Sequence, residues 1–380
     1  MAWVSPLLEA LQQSDALWQV TLALWPRLFL SGREAETAAR LPGVSLILAP
    51  LRALGLAAGA PLPWAGGPAL PTLVLHMGGP ASLSLRLGRR LRAPVLAYGE
   101  QPQRLPSGFD SIYCTDSCES NCGAIPIGNL LVDSVAGLRG RRAACGPGEG
   151  APLVGLLPGS RALQLRHYLP RIEPLVEAVA SRVNAVRFLI ARSPLVNDAM
   201  LREALGTHAE ARLVGEGDAA ALVTRRGRRI PLRGPAEVLG AVHCLVSTPG
   251  TNTGEAAALG IPHLVVAPFD PTLPLLTGLP RLIELSPWPG RPLKRWALRR
   301  LTGGVSYYAQ ANARAGREIV PELQGPLDIE RVSERLVQLL LDDRWRERMS
   351  LELAGVMGPP GAARRLVSEL ERQVRMPGPQ

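Results

Sequence analysis

Two short turns, each joining an apolar, strand-like run to the start of a helical pattern, constrain the fold of this chain most strongly. The first covers 154–161 (Val-Gly-Leu-Leu-Pro-Gly-Ser-Arg) and the second covers 246–255 (Val-Ser-Thr-Pro-Gly-Thr-Asn-Thr-Gly-Glu). Such turns aim backbone N–H groups and the positive end of a helix at one point, which makes an anion site. Either turn alone is equally well explained as an ordinary connection in an α/β protein. Together with the guanidinium of Arg161, the pair predicts a site for a nucleotide diphosphate.

Apolar runs alternate with helical patterns in both halves of the sequence. The predicted strands lie at 18–24, 44–48, 73–76, 94–98, 153–157, 186–191, 241–246 and 263–267, and the clearest helices at 81–91, 175–183, 198–205 and 253–259. This alternation predicts an α/β fold with mostly parallel, doubly wound sheets that carry helices on both faces. Ligands of such sheets bind beyond the carboxyl ends of the strands, where both turns lie.

The length of 380 residues indicates two domains. We expect an N-terminal domain over 1–138, a Gly-, Pro- and Arg-rich linker over 139–152, a C-terminal domain over 153–345, and a helical segment over 346–380 that returns to the body. Apolar residues at helical spacing over 329–341 and 345–373 support the last element. Two domains of this kind predict an active site in the cleft between them, with the nucleotide on the C-terminal domain.

The net charge of +10 would ordinarily indicate a nucleic acid as a partner. Of the 42 basic residues, however, Lys294 alone is a lysine, so the charge follows a compositional bias of the whole chain. Aromatic residues make up only 4% of the sequence, which leaves few platforms for stacking on bases. No nucleic-acid partner is therefore predicted.

The five cysteines argue for a reducing compartment, since their number is odd and no secretion signal is evident. Three of them, Cys114, Cys118 and Cys122, are spaced four residues apart, which matches no common structural zinc pattern. We therefore predict a cytoplasmic protein with no bound metal. The apolar stretch 16–30 is too short, and too interrupted by polar residues and proline, to span a membrane.

The segment 81–92 combines four leucines with four arginines. Basic and apolar side chains together would suit a peripheral contact with the inner face of the cytoplasmic membrane. An amphipathic helix of a soluble domain, with buried leucines and solvated arginines, shows the same pattern and is the simpler explanation.

Four segments, two of them overlapping the turns described above, follow one another in a characteristic order. They are 127–133 (Ile-Gly-Asn-Leu-Leu-Val-Asp), 156–161 (Leu-Leu-Pro-Gly-Ser-Arg), 250–255 with 260–262 (Gly-Thr-Asn-Thr-Gly-Glu and Gly-Ile-Pro), and 310–324 (Gln-Ala-Asn-Ala-Arg-Ala-Gly-Arg-Glu-Ile-Val-Pro-Glu-Leu-Gln). The chain thereby resembles the lipid-A-disaccharide synthase family, and more closely the related proteins of cyanobacteria and the Deinococcus group. Order and spacing agree from about Leu73 to the C-terminus.

The resemblance implies a glycosyltransferase of the GT-B type, with two facing Rossmann-like domains and no bound metal or cofactor. Such an enzyme moves a sugar from a UDP-sugar donor to a lipid-linked acceptor with inversion. The residues are compatible with this chemistry, because aligned N–H dipoles and the Arg161 guanidinium would stabilise the charge that grows on the departing diphosphate.

The resemblance also implies which residues bind the UDP-sugar. Those facing the diphosphate would be Ser160, Arg161, Gly250 and Thr251, with Thr248 in the same site; Glu255 would bind the ribose; and the uridine and sugar side would be lined by Asn312, Glu318, Glu322 and Gln324.

Four of these residues also have a simpler explanation. Glu255 opens a helix, where the dipole favours a carboxylate without any ligand. Asn312 would equally serve as a cap for the following turn. Glu318 and Glu322 would equally be solvated surface charges, although Pro321 between them restricts the backbone in a way that surface charge does not require.

The N-terminal half departs from the family. The synthases carry a Gly-Glu-x-Ser-Gly-Asp loop at the start and an aspartate-bearing segment after a later strand, whereas 1–11 holds no such loop and 75–82 holds no carboxylate. The first strand and its loop are therefore expected to be missing or to lie upstream. Because an attacking hydroxyl needs a base to take its proton, the candidate catalytic residues are His76 and Glu100, each near the end of a predicted strand.

Two other functions remain open at this point. A UDP-sugar epimerase shares the two-domain plan but would need well-placed carboxylates and a histidine in the cleft. A non-catalytic homologue that binds a nucleotide sugar or a lipid would explain the missing N-terminal motifs.

Overall fold

The computed structural model describes residues 2–25, 34–61, 71–115, 123–139, 150–206, 210–268 and 307–375. Contacts within the chain divide it into two units, Met1–Ala136 together with Gly358–Gln380, and Gly137–Met357. The chain therefore passes from the first unit to the second and back again. Of the predicted linker, residues 140–149 lie outside the described part of the chain.

The first unit is built from parallel strands and covering helices. Its strands are β1 (Val20–Ala23), β2 (Val44–Leu48), β3 (Val74–His76), β4 (Val95–Gly99), β5 (Ser111–Cys114) and β6 (Ile125–Pro126), and its helices before the crossing are α1 (Val4–Gln12), α2 (Glu34–Ala38), α3 (Pro50–Ala58), α4 (Ala81–Leu91) and α5 (Leu130–Ser134). β1 pairs with β2, and β3, β4, β5 and β6 form a second parallel sheet in that order. The four strands predicted in this half and the helix over 81–91 are confirmed.

The second unit contains one eight-stranded sheet. Its strands are β7 (Leu153–Leu157), β8 (Arg187–Ala191), β9 (Arg212–Val214), β10 (Ala221–Val223), β11 (Arg229–Arg233), β12 (Cys244–Ser247), β13 (His263–Pro268) and β14 (Glu322–Gly325). Its described helices are α6 (Ala162–Tyr168), α7 (Ile172–Ala180), α8 (Asp198–Leu205), α9 (Pro235–Ala241), α10 (Thr251–Ala258), α11 (Gln310–Ala315), α12 (Ile329–Leu341) and α13 (Asp343–Met357), and α14 (Ala362–Arg375) then follows in the first unit.

The order of the strands in this sheet is that of a doubly wound fold. From β7 the chain builds outward through β8 to β11 on one side, and then from β12 through β13 to β14 on the other. These six strands are parallel, in the order β11-β8-β7-β12-β13-β14. The direction of winding reverses between β7 and β12, and this switch point is where doubly wound sheets bind their ligands.

The sequence analysis did not predict six of the strands, namely β5, β6, β9, β10, β11 and β14. Of these, β9 and β10 extend the sheet beyond β11. Each has only three residues, and both pairings are antiparallel. Such short strands carry no clear alternation of apolar and polar residues.

Close packing against the sheet depends on Gly155 in β7. A Cβ atom at this position would lie 2.3 Å from Leu245 Cδ2 and 2.9 Å from Val238 Cγ1. Glycine therefore leaves room for the side chains of Leu245 in β12 and Val238 in α9 to pack over the centre of the sheet.

The predicted helical stretch over 345–373 is two helices, because the chain breaks at 358–361 (Gly-Pro-Pro-Gly) and proline cannot continue a helix. The second of them, α14, belongs to the first unit. The Asp133 carboxylate accepts the N–H groups of Gly361 at 2.5 Å and Ala363 at 2.6 Å, which satisfies free donors at the start of α14. Leu366 and Leu370 pack in a cluster with α1 residues.

The leucine and arginine pattern of α4 follows from packing. Leu85 and Leu87 are buried, while Arg86, Arg89 and Arg92 are exposed. Among the described helices, none combines the length and the apolar character that crossing a membrane requires.

Candidate functional site

The two predicted turns lie side by side at the switch point. β7 and β12 are neighbouring parallel strands, with Ser247 paired to Leu157, and the Thr248 N–H donates to the Leu157 carbonyl at 3.2 Å. Both turns begin at the carboxyl ends of these strands. The structure therefore brings together the residues that sequence analysis assigned to the diphosphate.

The first turn depends on Gly159. Its φ of +94° lies in the region that favours glycine, and a Cβ atom there would lie 2.5 Å from Gln164 Oε1. That Gln164 oxygen accepts the N–H of Arg161 at 3.3 Å. Within the described residues, the N–H groups of Gly159 and Ser160 have no hydrogen-bond partner. The Ser160 side chain is half-buried and Arg161 is exposed, so the turn presents N–H donors beside a cationic side chain.

The second turn places Gly250 at the start of α10. Gly250 has a φ of +155°, and among the described residues, its chain neighbours aside, no atom lies within 4 Å of a Cβ built on it. Among the described residues, the N–H groups of Thr251 and Asn252 at the start of α10 have no partner, whereas that of Thr253 donates to the Gly250 carbonyl at 3.1 Å. Thr251 is exposed, whereas the Thr248 side chain is buried. The turn thus offers N–H donors at the position predicted for a phosphate.

Glu255 lies one turn further along α10 and is half-buried. Burial raises the pKa of its carboxyl to about 7. A helix N-terminus alone would favour the charged form, so burial outweighs the helix dipole here. Near neutral pH the carboxyl is part protonated and can both donate and accept hydrogen bonds.

Asn312 binds the protein itself. Its side chain is fully buried, its Oδ1 accepts the N–H groups of Ile319 at 2.7 Å and Val320 at 2.9 Å, and its Nδ2 donates to the Val320 carbonyl at 2.7 Å and to Glu322 Oε1 at 2.9 Å. Both acceptor sites and both N–H donors are used. Asn312 therefore has a structural role in this segment, whereas its predicted role in lining the uridine and sugar stays a prediction.

Glu322 has a similar internal role. Its carboxylate accepts the N–H of Tyr308 at 2.9 Å and of Ala309 at 2.8 Å, which satisfies donors at the start of α11. Glu318 and Gln324 are instead exposed, and Gln324 Nε2 lies 3.4 Å from Glu322 Oε2. Of the four residues predicted for the uridine and sugar side, Glu318 and Gln324 are exposed, Glu322 is half-buried and Asn312 is buried.

The two candidate catalytic residues belong to the first unit. His76 ends β3 and is buried, with Nδ1 2.9 Å from Ser84 Oγ and its ring centre 5.6 Å from that of Phe109. Glu100 follows β4 and is half-buried. β3 and β4 are neighbours, with His76 paired to Ala97, so both residues lie at the same edge of this sheet.

Sequence analysis missed a small apolar cavity under the second unit's turns. Its volume is about 40 Å³, and it lies between the carboxyl ends of β7, β12 and β13 and the helices α7 and α12, with Pro158 and Thr248 in its wall. Tyr168 Oη, on another wall, donates to the Val266 carbonyl at 2.8 Å, and burial raises the pKa of this phenol. The cavity is far smaller than the several hundred Å³ typical of ligand pockets, so a nucleotide would lie over the turns rather than inside it.

A larger groove of about 950 Å³ lies between α7, α8 and the turn from β10 to β11, and includes none of the predicted site residues. Within the part of the chain that the structure describes, no group of three or more His, Cys, Asp or Glu side chains is placed to hold a metal ion.

Comparison with known proteins adds sequence relatives to this geometry. No protein-family model matches the chain. It is 29% identical over 223 residues to the lipid-A-disaccharide synthase of Nitrosococcus oceani, covering 57% of this chain and 47% of that protein. It is 30% identical over 239 residues to that of Anaeromyxobacter dehalogenans, covering 60% and 51%. The chain is similar to lipid-A-disaccharide synthases. It spans about half the length of these synthases, as it does of the Myxococcus xanthus one, to which it is 27% identical.

Solved structures are similar over nearly the whole chain. A putative UDP-N-acetylglucosamine 2-epimerase from Listeria monocytogenes matches with a TM-score of 0.52 and 14% identity, covering 100% of this chain and 95% of that one. MurG from Acinetobacter baumannii matches with a TM-score of 0.51 and 12% identity, covering 97% and 96%. At such identities the likeness shows the fold, which is the predicted two-domain, Rossmann-like GT-B type that these transferases and epimerases share.

Proposed function

We propose that this chain is a glycosyltransferase that transfers a sugar from a UDP-sugar to a lipid-linked acceptor with inversion, as the resemblance to lipid-A-disaccharide synthases implies. The observation that carries the proposal is the pair of glycine turns at the switch point between β7 and β12. We also propose that this chain is more closely related to the synthase-related proteins of cyanobacteria and the Deinococcus group than to the synthases themselves.

The donor diphosphate would be bound by the main chain of both turns. The N–H groups of Gly159 and Ser160 and those at the start of α10 would donate to its oxygens, and the exposed Arg161 would add a forked cationic donor. As the bond between the anomeric carbon and the diphosphate breaks, charge grows on the leaving oxygen. Donors that are already oriented stabilise this charge without costly reorganisation.

The remaining donor contacts are proposed from position. Glu255 would bind the ribose hydroxyls, with a carboxyl that can donate as well as accept. Glu318 and Gln324, which are exposed beside the α11–β14 segment, would contact the uridine or the sugar. Thr248 and Thr251 would complete the wall of the phosphate site.

The acceptor hydroxyl would form the new bond to the anomeric carbon from the face opposite the departing UDP, and its proton would pass to a base. We propose Glu100 for this role in preference to His76. His76 is buried against Ser84 and Phe109, whereas Glu100 is half-buried at the carboxyl edge of the sheet. In the first test, Glu100→Gln should lower kcat more than it changes KM. An unchanged kcat would remove Glu100 from the reaction.

Contact of the first unit with the cytoplasmic membrane surface is part of the same proposal. α4 packs against α3. The exposed arginines lie on α4, and α3 carries Leu51, which is 83% exposed. Anionic lipid attracts arginines, and an exposed leucine can enter the interface. Sedimentation with vesicles that contain anionic lipid, compared with neutral vesicles, tests this contact.

The decisive experiment measures binding and turnover on the full chain. A panel of UDP-sugars is screened for thermal stabilisation, and UDP release is then followed with and without a lipid-linked acceptor. Release that depends on the acceptor supports the transferase. Epimerised sugar without acceptor would support the epimerase, and binding without turnover the non-catalytic homologue. The absence of stabilisation by any UDP-sugar would refute the donor site.

A further inference from the structure

The hydroxyl of Thr253 joins two segments of the second unit. Its side chain is fully buried; Oγ1 donates to the Gly250 carbonyl at 2.9 Å and accepts the N–H of Gln310 at 3.3 Å. Gly250 belongs to the second turn of the candidate site, and Gln310 is the first residue of α11. One hydroxyl therefore bridges residues that lie about sixty positions apart in the sequence.

The bond to Gly250 controls the direction of a donor. In a planar trans peptide, the carbonyl of one residue and the N–H of the next point in opposite directions. Thr253 Oγ1 at 2.9 Å and the Thr253 N–H at 3.1 Å both hold the Gly250 oxygen toward the helix. The N–H of Thr251, in the same peptide, is thereby directed away from the helix, to the side where phosphate would lie.

The bond from Gln310 adds a second connection, because the segment from Tyr308 to Glu322 is one hydrogen-bonded block. The Glu322 carboxylate binds the N–H groups of Tyr308 and Ala309, and the buried Asn312 amide binds the same carboxylate and the backbone at Val320. Glu318 and Gln324 are carried by this block and the strand that follows. Thr253 thus connects the second turn of the candidate site to the segment that carries Glu318 and Gln324.

We propose that Thr253 is a positioning residue for the donor. Its hydroxyl orients the Thr251 N–H and fixes the position of the second turn relative to the segment from Tyr308 to Glu322. This inference rests on the proposed function and assigns a role to a residue that contacts no substrate. A merely structural threonine would contribute to stability alone. The two cases differ in whether the loss of its hydroxyl changes UDP binding beyond its effect on stability.

Thr224 provides a matched control. Its side chain is also buried in the second unit, and its Oγ1 also donates one hydrogen bond, to Glu177 at 2.8 Å, and accepts one, from the Arg228 N–H at 3.1 Å. It lies in the turn between β10 and β11, on the side of the sheet away from β12. Thr253→Val and Thr224→Val therefore each remove a buried hydroxyl that donates one hydrogen bond and accepts one, although the acceptor of Thr224 is a carboxylate and that of Thr253 a carbonyl.

Titration calorimetry with UDP is the first readout. Thr253→Val should lower UDP affinity about tenfold, the effect of one hydrogen bond, whereas Thr253→Ser should stay within about threefold of wild type and Thr224→Val should bind as wild type. Equal melting-temperature losses in the two valine variants, with unchanged UDP affinity in both, would overturn the proposal. If Thr253→Val does not fold, Thr253→Ala is compared with Thr224→Ala in the same way.

Hydrogen exchange of the ligand-free protein is the second readout. Thr253→Val should speed exchange in peptides that cover 249–252 and 308–312, and Thr224→Val should not. If wild type fails to bind UDP, the proposed function fails, and exchange still decides whether Thr253 couples the two segments. Unchanged exchange in both peptides of Thr253→Val would overturn the coupling.

Discussion

Asn312 Nδ2 lies 2.9 Å from Glu322 Oε1, and this contact joins a fully buried amide to the carboxylate that receives the first N–H groups before α11. Truncating Asn312 would leave the N–H groups of Ile319 and Val320 and the Val320 carbonyl without partners in the interior. Asn312→Ala should therefore lower the free energy of unfolding by about 2 to 4 kcal/mol.

Urea unfolding measures this loss. Glu318→Ala, an exposed change in the same loop, is the control and should stay within about 0.5 kcal/mol of wild type. An Asn312→Ala protein as stable as the control would show that the amide network contributes little.

Arg161 is expected to contribute directly to donor binding. Arg161→Ala should weaken UDP binding by about 1.5 to 3 kcal/mol, the range of a hydrogen bond to a charged group. Arg166→Ala, on the helix that Arg161 precedes, removes an exposed arginine that pairs with Glu203 and should leave UDP affinity unchanged. Calorimetry of both variants decides the point; an equal loss in each would indicate a general effect of charge, not a contact at the turn.

Glu255 should make the protein less stable as the pH rises. Its folded pKa of about 7 lies above the ordinary value of a glutamate, so its contribution to stability is complete in acid and is lost as the pH rises through 7. Between pH 6 and 8 this change amounts to about 1 kcal/mol. Glu255→Gln, which does not titrate, should lack this component in denaturant unfolding at the two pH values. Parallel pH profiles of the variant and wild type would mean that Glu255 titrates normally.

His263 has the opposite dependence. It is fully buried at the start of β13, its Nδ1 lies 2.7 Å from the Ile261 carbonyl, and burial lowers its pKa to about 4. The histidine binds protons more readily in the unfolded chain than in the folded one. Its contribution to the free energy of unfolding is therefore fully present above the unfolded pKa and is lost as the pH falls from about 6.5 toward 4. From pH 7 to pH 5 the loss should be about 2 kcal/mol.

Denaturant unfolding of His263→Asn at both pH values tests this assignment. The variant is expected to be less stable at pH 7 and to lose less on acidification than wild type. A loss of the same size in wild type and variant would assign the acid sensitivity to other groups.

Much of the fold could be predicted from the sequence because its signals are local. Buried parallel strands such as β7 and β12 form short apolar runs, and the glycines after them mark the turns at their carboxyl ends. The order of the strands is not local, and the adjacency of β7 and β12 follows from pairing across about ninety residues. The antiparallel strands β9 and β10 were missed for the related reason that three residues carry too little pattern.

The candidate site was predictable to a lesser extent. The two turns were located correctly because backbone donors follow from glycine and strand position. Asn312 and Glu322 were assigned to the ligand because a buried polar residue has the same sequence pattern whether its partner is a ligand or the backbone. Thr253 lies within a recognised motif, but its bond to the Gln310 N–H depends on tertiary packing that no local pattern reveals.

The hydrogen bonds from the start of α14 to Asp133 have a practical consequence for producing parts of this protein separately. Because α14 completes the core of the first unit, the sequence of the second unit is inserted within the sequence of the first. A fragment that stops at Ala136 would leave the apolar side chains of α1 without their cover. Separate production of the two halves therefore requires the C-terminal helix to be grafted, through a short loop, onto the end of the N-terminal fragment.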